Sequence, residues 1–537
     1  MPADRFDAIV LGGGHSGLVA AGYLASDGLS VLLLEAGPRL GGPAATVEFM
    51  RGYRTTIANS PGSLEPLIIR DLDLEKHGLR MQPIDPTLVH PLADDSLFVG
   101  WRDKARGAAQ MERFAPGEAA RYDAFFAYLQ DFADKLGITM FGPPPDLRDL
   151  TRNLVSLDDQ EAFARIFLGS IRDLMAQFDL AWQTQALIGP MAIVGGSVTP
   201  SSPGTPANLL ARPLSLASLK AAGADDPRRM PLRGTTGMPV GGMGAIVESM
   251  ERSARARGVV MKTMAPADRI LLSDGAVEGV VTRDGDVYRA KLVIAALNPR
   301  VTVCDLLRDE PDWALWRARM GKRPMAGKAF KVVVALDGVP RWRNAPPDAG
   351  PQALMAAQFR IAPSLDYLED AHAELLRGRI AEKPVVWGLC PSLTSPGLAP
   401  DGKHVLSLNV GTAPYHLRDG TWAEERDKLA KRTLAACAEY LPDLPDLITD
   451  WRCMDPEDFE RDFGLVEANM VHGDLAPWNN FWMRPLPGLH AYRTPARGLY
   501  LSGNGTWPGN FISGLSGHNA AQAAMADWHA GVLTKAA

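Results

Sequence analysis

The run Gly12-Gly13-Gly14-His15-Ser16-Gly17 does most to limit the folds open to this chain, because it satisfies G-x-G-x-x-G between an apolar strand and a helix. Ala8-Ile9-Val10-Leu11 has the unbroken apolar character of a buried parallel strand. Leu18 to Ala25 continues as a helix and Ser30 to Leu34 returns as a second strand, giving a βαβ unit that begins at Phe6. In such a unit Gly12 permits the tight turn, Gly14 lets backbone approach a pyrophosphate, and Gly17 lets helix and strand pack closely. The helix amino terminus then faces the negative charge. Glycine-rich turns also serve as plain connections, so Glu35 matters. It ends the second strand where a carboxylate accepts hydrogen bonds from ribose hydroxyls, and it disfavours a 2′-phosphate.

A chain of 537 residues exceeds one ordinary hydrophobic core and predicts two domains. With 46% hydrophobic and 22% charged residues its balance is that of a soluble globular enzyme. A formal net charge of -6 offers no field for gripping nucleic acid or an anionic bilayer. Cys304, Cys390, Cys437 and Cys453 form no C-x-x-C pair, so idle thiols are expected rather than a redox dithiol. The histidines form no H-x-x-x-H pair, and no metal site is expected. Met1-Pro2-Ala3-Asp4-Arg5 enters the first strand without an apolar leader. The expectation is a cytoplasmic protein, with peripheral membrane contact left open.

Residues 117 to 190 read as helical, and Pro-rich breaks at Gly142-Pro143-Pro144-Pro145 and around Ser202-Pro203-Gly204-Thr205-Pro206 end any regular element there. After Gly241 come a helix to Arg257, a strand from Val259 to Lys262, and a meander from Arg269 to Val287 that turns at Asp274-Gly275 and Asp284-Gly285. Lys291 to Leu297, 328 to 337 and 403 to 411 read as strands, and 422 to 441 as an amphipathic helix. Leu499-Tyr500-Leu501-Ser502 leads through a glycine-rich turn into an alanine-rich helix. Two distant chain segments are thus expected to meet on one cofactor.

NAD and FAD both fit the opening fingerprint, but Arg39-Leu40-Gly41-Gly42 extends the nucleotide loop in a way that NAD dehydrogenases do not need. Glu35 to Thr46 resembles the second glycine motif of FAD oxidoreductases related to amine oxidases and phytoene desaturases. Pro239-Val240-Gly241-Gly242-Met243-Gly244-Ala245, His472-Gly473-Asp474 and Met483-Arg484-Pro485 are similar to the phytoene dehydrogenase-related group. The resemblance implies an α/β fold: a Rossmann-like FAD-binding domain of the glutathione reductase/amine oxidase type with an inserted α+β substrate domain. It implies cofactor contacts at Gly12, Gly14, His15, Ser16, Gly17, Glu35, Ala36, Arg39, Gly41 and Gly42. Lys262 to Ile270 resembles the strand that meets the adenine, with Ala267 against the ring. Leu499 to Ala521 resembles the family's closing FAD motif, which implies Gly503, Asn504, Ser513, Gly514 and Gly517 at the flavin end, where a helix starting near Ser513 would point its positive end at the ring. Relatives tend to carry His-Pro-Gly-Gly-Gly where this chain has Thr506 to Phe511, so Trp507, Asn510 and Phe511 are expected to shape the substrate pocket, with Asn59 and Ser60 nearby. His472 is a candidate acid or base, although a structural hydrogen-bonding role is the simpler reading.

The expected organisation places residues 1–105, 230–300 and 470–537 in the FAD domain and 106–229 and 301–469 in the substrate domain. The expected chemistry is hydride abstraction from carbon of an apolar, isoprenoid or lipid-like substrate, carried by the cofactor. With one strand-linked G-x-G-x-x-G, dioxygen or a quinone is the expected electron acceptor rather than NAD(P)H. Three rivals stand beside this reading: a flavin amine oxidase, a carotenoid-type ketolase, and an assembly protein that retains FAD without turnover.

Overall fold

The computed structural model describes residues 4–58, 63–224, 237–325, 327–509 and 511–533. Its organising element is a five-stranded, wholly parallel sheet in the order Val260–Lys262, Val31–Leu34, Ala8–Leu11, Leu292–Ala295, Leu499–Leu501. Every residue of the three central strands is buried, which explains their continuous apolar sequence. The two-residue alternation of a strand then divides the core. Ala8, Val10, Leu33, Leu292 and Ile294 pack with helix His15–Ser26 and the closing helix Leu515–His529. Ile9, Leu11, Leu32, Val293 and Ala295 pack the other way, against Ile270, Val277 and Val280 of a four-stranded sheet made by Asp4–Arg5, Val287–Arg289, Ala276–Thr282 and Ala267–Ser273.

The expected strand from Lys262 to Ile270 is divided. Val260–Lys262 ends the parallel sheet, and Ala267 opens the first strand of the meander, opposite Thr282. Between them, Met264 N donates to Gly37 O (3.0 Å) and Ala265 N to Glu35 O (2.9 Å), so the chain turns to follow the nucleotide loop before reversing. Pro266, which has no N–H to give a sheet, lies in this turn.

A seven-stranded mixed sheet carries the second half, in the order Ile448–Met454, Phe330–Leu336, His404–Val410, Val386–Leu389, Gln358–Ile361, Leu88–Pro91, Leu97–Val99. Leu88–Pro91 pairs in parallel with Gln358–Ile361, so the boundary between the sheets falls before residue 88 rather than at 105. One face of this sheet, with Val332, Val334, Phe359, Ile361 and Leu408, packs on Trp422, Leu429, Ala430 and Cys437 of helix Trp422–Ala438. Helices Glu118–Leu136, Leu157–Phe167, Ile171–Gln177 and Trp182–Ile193 occupy the helical stretch. Among the described residues no helix is long and apolar enough to cross a membrane.

Candidate functional site

The glycine loop is built by two constraints of opposite kind. Gly12 has φ +96°, and a Cβ there would stand 2.9 Å from Ala296 O. A Cβ on Gly17 would stand 1.9 Å from Gly12 O, so helix His15–Ser26 lies directly on the turn that starts it. Gly14, by contrast, has nothing within 4 Å of its Cβ position and faces open space. Because Gly14 is the N-cap and brings no side-chain oxygen, the first-turn N–H groups of the helix are left toward that space.

Glu35 clamps the loop from below. Its Oε2 accepts from Gly13 N and its Oε1 from Gly37 N, both at 2.7 Å. Each carboxylate oxygen keeps a further lone pair. The second glycine loop joins the first through Gly41 N donating to Gly13 O at 2.8 Å, with Gly41 at φ +108° and Gly42 beside it opening a short turn. Ala36 and Arg39 are exposed on this turn.

At the other end of the chain, helix Leu515–His529 begins from Gly514 at φ +78° and crosses the opening helix closely. A Cβ on Gly517 would stand 2.2 Å from Ser16 O. Two helix amino termini therefore converge on one cavity of about 690 Å³, bordered by Gly14, His15, Ser16, Gly503, Asn504 and Ser513. Trp507 and Phe511 also border it, and Trp507 stacks on Phe481 with ring centres 4.9 Å apart. Of the remaining expected site residues, Ala267 stands outside the cavity wall, half-buried against the core between the two sheets. Asn59, Ser60 and Asn510 lie outside the described residues.

The cavity extends away from the glycine loops between helices and the seven-stranded sheet, past Phe126, Met191, Leu209, Leu214 and Met470. Its volume is that of a small-molecule site, and its wall is largely apolar. The sheet contributes polar groups through the same alternation that builds its core: Phe359 and Ile361 point into the core, Gln358 and Arg360 into the cavity. Lys328 borders it too. Lys328 Nζ donates to Gly196 O, and burial lowers it to about 8 despite neighbouring Asp474. Behind the wall, Lys331 Nζ donates to Ser407 Oγ (2.6 Å) and Asn409 Oδ1 (2.9 Å), and burial holds it well below the usual lysine range.

His15 and His472 edge the cavity and are otherwise enclosed. Burial holds each down at about 4, with His472 adding to the shift of His15 and Arg484 to that of His472. His472 Nδ1 has no partner among the described residues. Arg484 is the hub of this corner: its guanidinium donates to the carbonyls of Val471, Gly473, Asp474 and Asn504. The segment before the last strand is thereby bound to the turn after it.

Sequence reasoning located the glycine loops, Glu35 and the closing turn but passed over Arg212, Lys328, Gln358 and Arg360. Their signal was a cationic or amide side chain inside an otherwise apolar strand or helix, as in Gln358-Phe359-Arg360-Ile361. The four cysteines are free, and burial pushes Cys390 and Cys437 up to about 12, which suits packing rather than redox exchange.

Comparison with known proteins agrees with this geometry. The profile described as flavin containing amine oxidoreductase matches residues 193–525, and an NAD(P)-binding Rossmann-like profile matches residues 10–60. Pyridine nucleotide-disulfide oxidoreductase domain-containing protein 2 of Rattus norvegicus is 28% identical over 97% of this chain and 94% of its own. A neurosporene-forming phytoene desaturase of Rhodobacter capsulatus is 24% identical over 95% and 92%. The solved structure of cyclohexylamine oxidase from Brevibacterium oxydans shares the fold with TM-score 0.57, 16% identity, and coverage of 98% and 99%.

Proposed function

Since the chain belongs to the flavin containing amine oxidoreductase family and is an FAD-dependent oxidoreductase, we propose that it oxidises a carbon centre of an apolar, lipid-like or isoprenoid substrate held in the large cavity. The observation that carries this reading is that one largely apolar cavity opens onto both helix amino termini.

The residues fit FAD. Gly12, Gly14 and Gly17, with His15 and Ser16, suit a pyrophosphate, because Gly14 leaves open the space that a side chain would fill. Glu35 suits the ribose, since both its oxygens are fixed by amides and can accept more. Ala36, Arg39, Gly41 and Gly42, on the second glycine loop, would flank the nucleotide, and Ala267 would meet the adenine. Gly503, Asn504, Ser513 and Gly514 suit the ring end, where the amino terminus of Leu515–His529 favours negative charge.

Bound FAD would supply the acceptor for a hydride from carbon, which carries both electrons, while the second hydrogen leaves as a proton; the chain's own groups orient the substrate and exclude water. Trp507 and Phe511 shape the pocket next to the closing turn. Dioxygen or a quinone then takes the electrons. Anaerobic bleaching of the flavin by isoprenoid and fatty-chain substrates, with products two hydrogens lighter, is the expected result. Rapid reduction by NADPH alone, or bleaching by amines only, contradicts it. Oxygen gained by the product would identify a ketolase instead. Phe511→Gly should change the substrate preference; unchanged turnover removes Phe511 from the pocket-shaping role.

Amine oxidation is the second reading, favoured by the family's description. The basic side chains Arg212, Lys328 and Arg360 along the cavity weigh against a protonated amine there.

A further inference from the structure

An apolar substrate alone gives no reason for the side chain of Arg360. This residue is 2% exposed, yet its guanidinium has little to hold it. One nitrogen reaches Leu187 O at a long 3.4 Å, and Nε has no partner. Among the described residues no carboxylate forms an ion pair with it. The guanidinium lies over the ring of Trp387, 4.4 Å from its centre, which supports one face of the plane and leaves Nε without a partner. Arg212 borders the same cavity and is near enough to help burial lower Arg360 to about 9. The only carboxylate on the described wall, Glu65, has other contacts: its N donates to Ser513 O, and its side chain accepts from Ser215 Oγ at 3.0 Å. A buried arginine without an acid is costly to the ligand-free fold. Such a charge is retained where a partner arrives with the ligand.

We propose that the substrate of this cavity carries a carboxylate on its apolar chain, and that Arg360, with Gln358 beside it and Arg212 behind, receives that carboxylate. The assignment rests on the oxidation proposed above and narrows its substrate class. Gln358 faces the cavity from the same strand, two residues before Arg360. A guanidinium edge matches a carboxylate with two parallel N–H···O bonds, and Trp387 fixes the plane in which they form. The chain of the substrate then runs past Met191 and Leu209 toward the glycine loops.

The test uses the FAD-loaded protein and measures binding, by flavin difference spectra and calorimetry, of laurate, methyl laurate, dodecyl phosphate and dodecylamine. Laurate should bind roughly ten- to a hundredfold more tightly than its methyl ester, the range expected of hydrogen bonds to a charged group. In Arg360→Met that preference should vanish, and in Arg360→Lys it should persist in part. Equal affinity of acid and ester for the wild type overturns the proposal, as does a preference that survives Arg360→Met. Tighter binding of dodecyl phosphate than of laurate overturns the carboxylate assignment. If Arg360→Met fails to fold, the wild-type acid-to-ester ratio decides alone. An Arg360-dependent preference for acids, joined to a failure of every fatty acid to bleach the flavin anaerobically, sinks the oxidation reading and leaves the head-group assignment standing.

Discussion

Gly14 and Gly17 stand three residues apart, yet a side chain at each would meet opposite surroundings. Alanine at Gly17 drives its Cβ into Gly12 O, and overpacking of this kind costs about 1–3 kcal/mol. Gly17→Ala should therefore lower the melting temperature of the apoprotein as well as its flavin content. Alanine at Gly14, where φ is -70°, meets no atom and should leave apoprotein melting unchanged while reducing flavin retention. His15 and His472 predict a pH response. Their folded values near 4 lie below the ordinary 6.5, so between those values the unfolded chain binds more protons than the native one. Stability should be full above pH 6.5 and fall toward pH 4, by about 3 kcal/mol for each ring. Denaturant melts across that window should show His472→Asn with a shallower fall than the wild type. At this scale the sequence was legible where backbone geometry dictates the residue type, as at Gly12, Gly17 and Glu35. Arg360 was not, because its burial comes from neighbours far away in the chain.

Strands buried on both faces announce themselves, and Ala8–Leu11, Leu292–Ala295 and Leu499–Leu501 lie within the stretches read from sequence. Gln358–Ile361, Val386–Leu389 and Ile448–Met454 escaped. The first two are short, and Gln358-Phe359-Arg360-Ile361 alternates as an exposed strand would, its polar side facing an internal cavity instead of solvent. The division of Lys262–Ile270 escaped the family resemblance as well, although Pro266 stands between the strands of the two sheets. Among connections, Arg484 has the largest structural task. Arg484→Met leaves at least four carbonyls without their donor and should cost at least about 3 kcal/mol in denaturant unfolding. Arg484→Lys should not restore it, because an ammonium lacks the planar fork.

Over the whole molecule, the parallel sheet draws its strands from residues 8–34, 260–262, 292–295 and 499–501, so the cofactor seat exists only when distant segments have met. Closing helix and opening helix touch at Gly517 and Ser16, and a ligand spanning their amino termini should stabilise that meeting. Raising FAD to a hundred times its dissociation constant should add about 2.7 kcal/mol to unfolding. The most direct test of the central claim is the flavin retained per chain after gel filtration in wild type and Gly14→Val, read from absorbance, with circular dichroism to verify the fold. The account predicts stoichiometric FAD in the wild type and little in Gly14→Val with unchanged circular dichroism. Equal retention by the two proteins would contradict it.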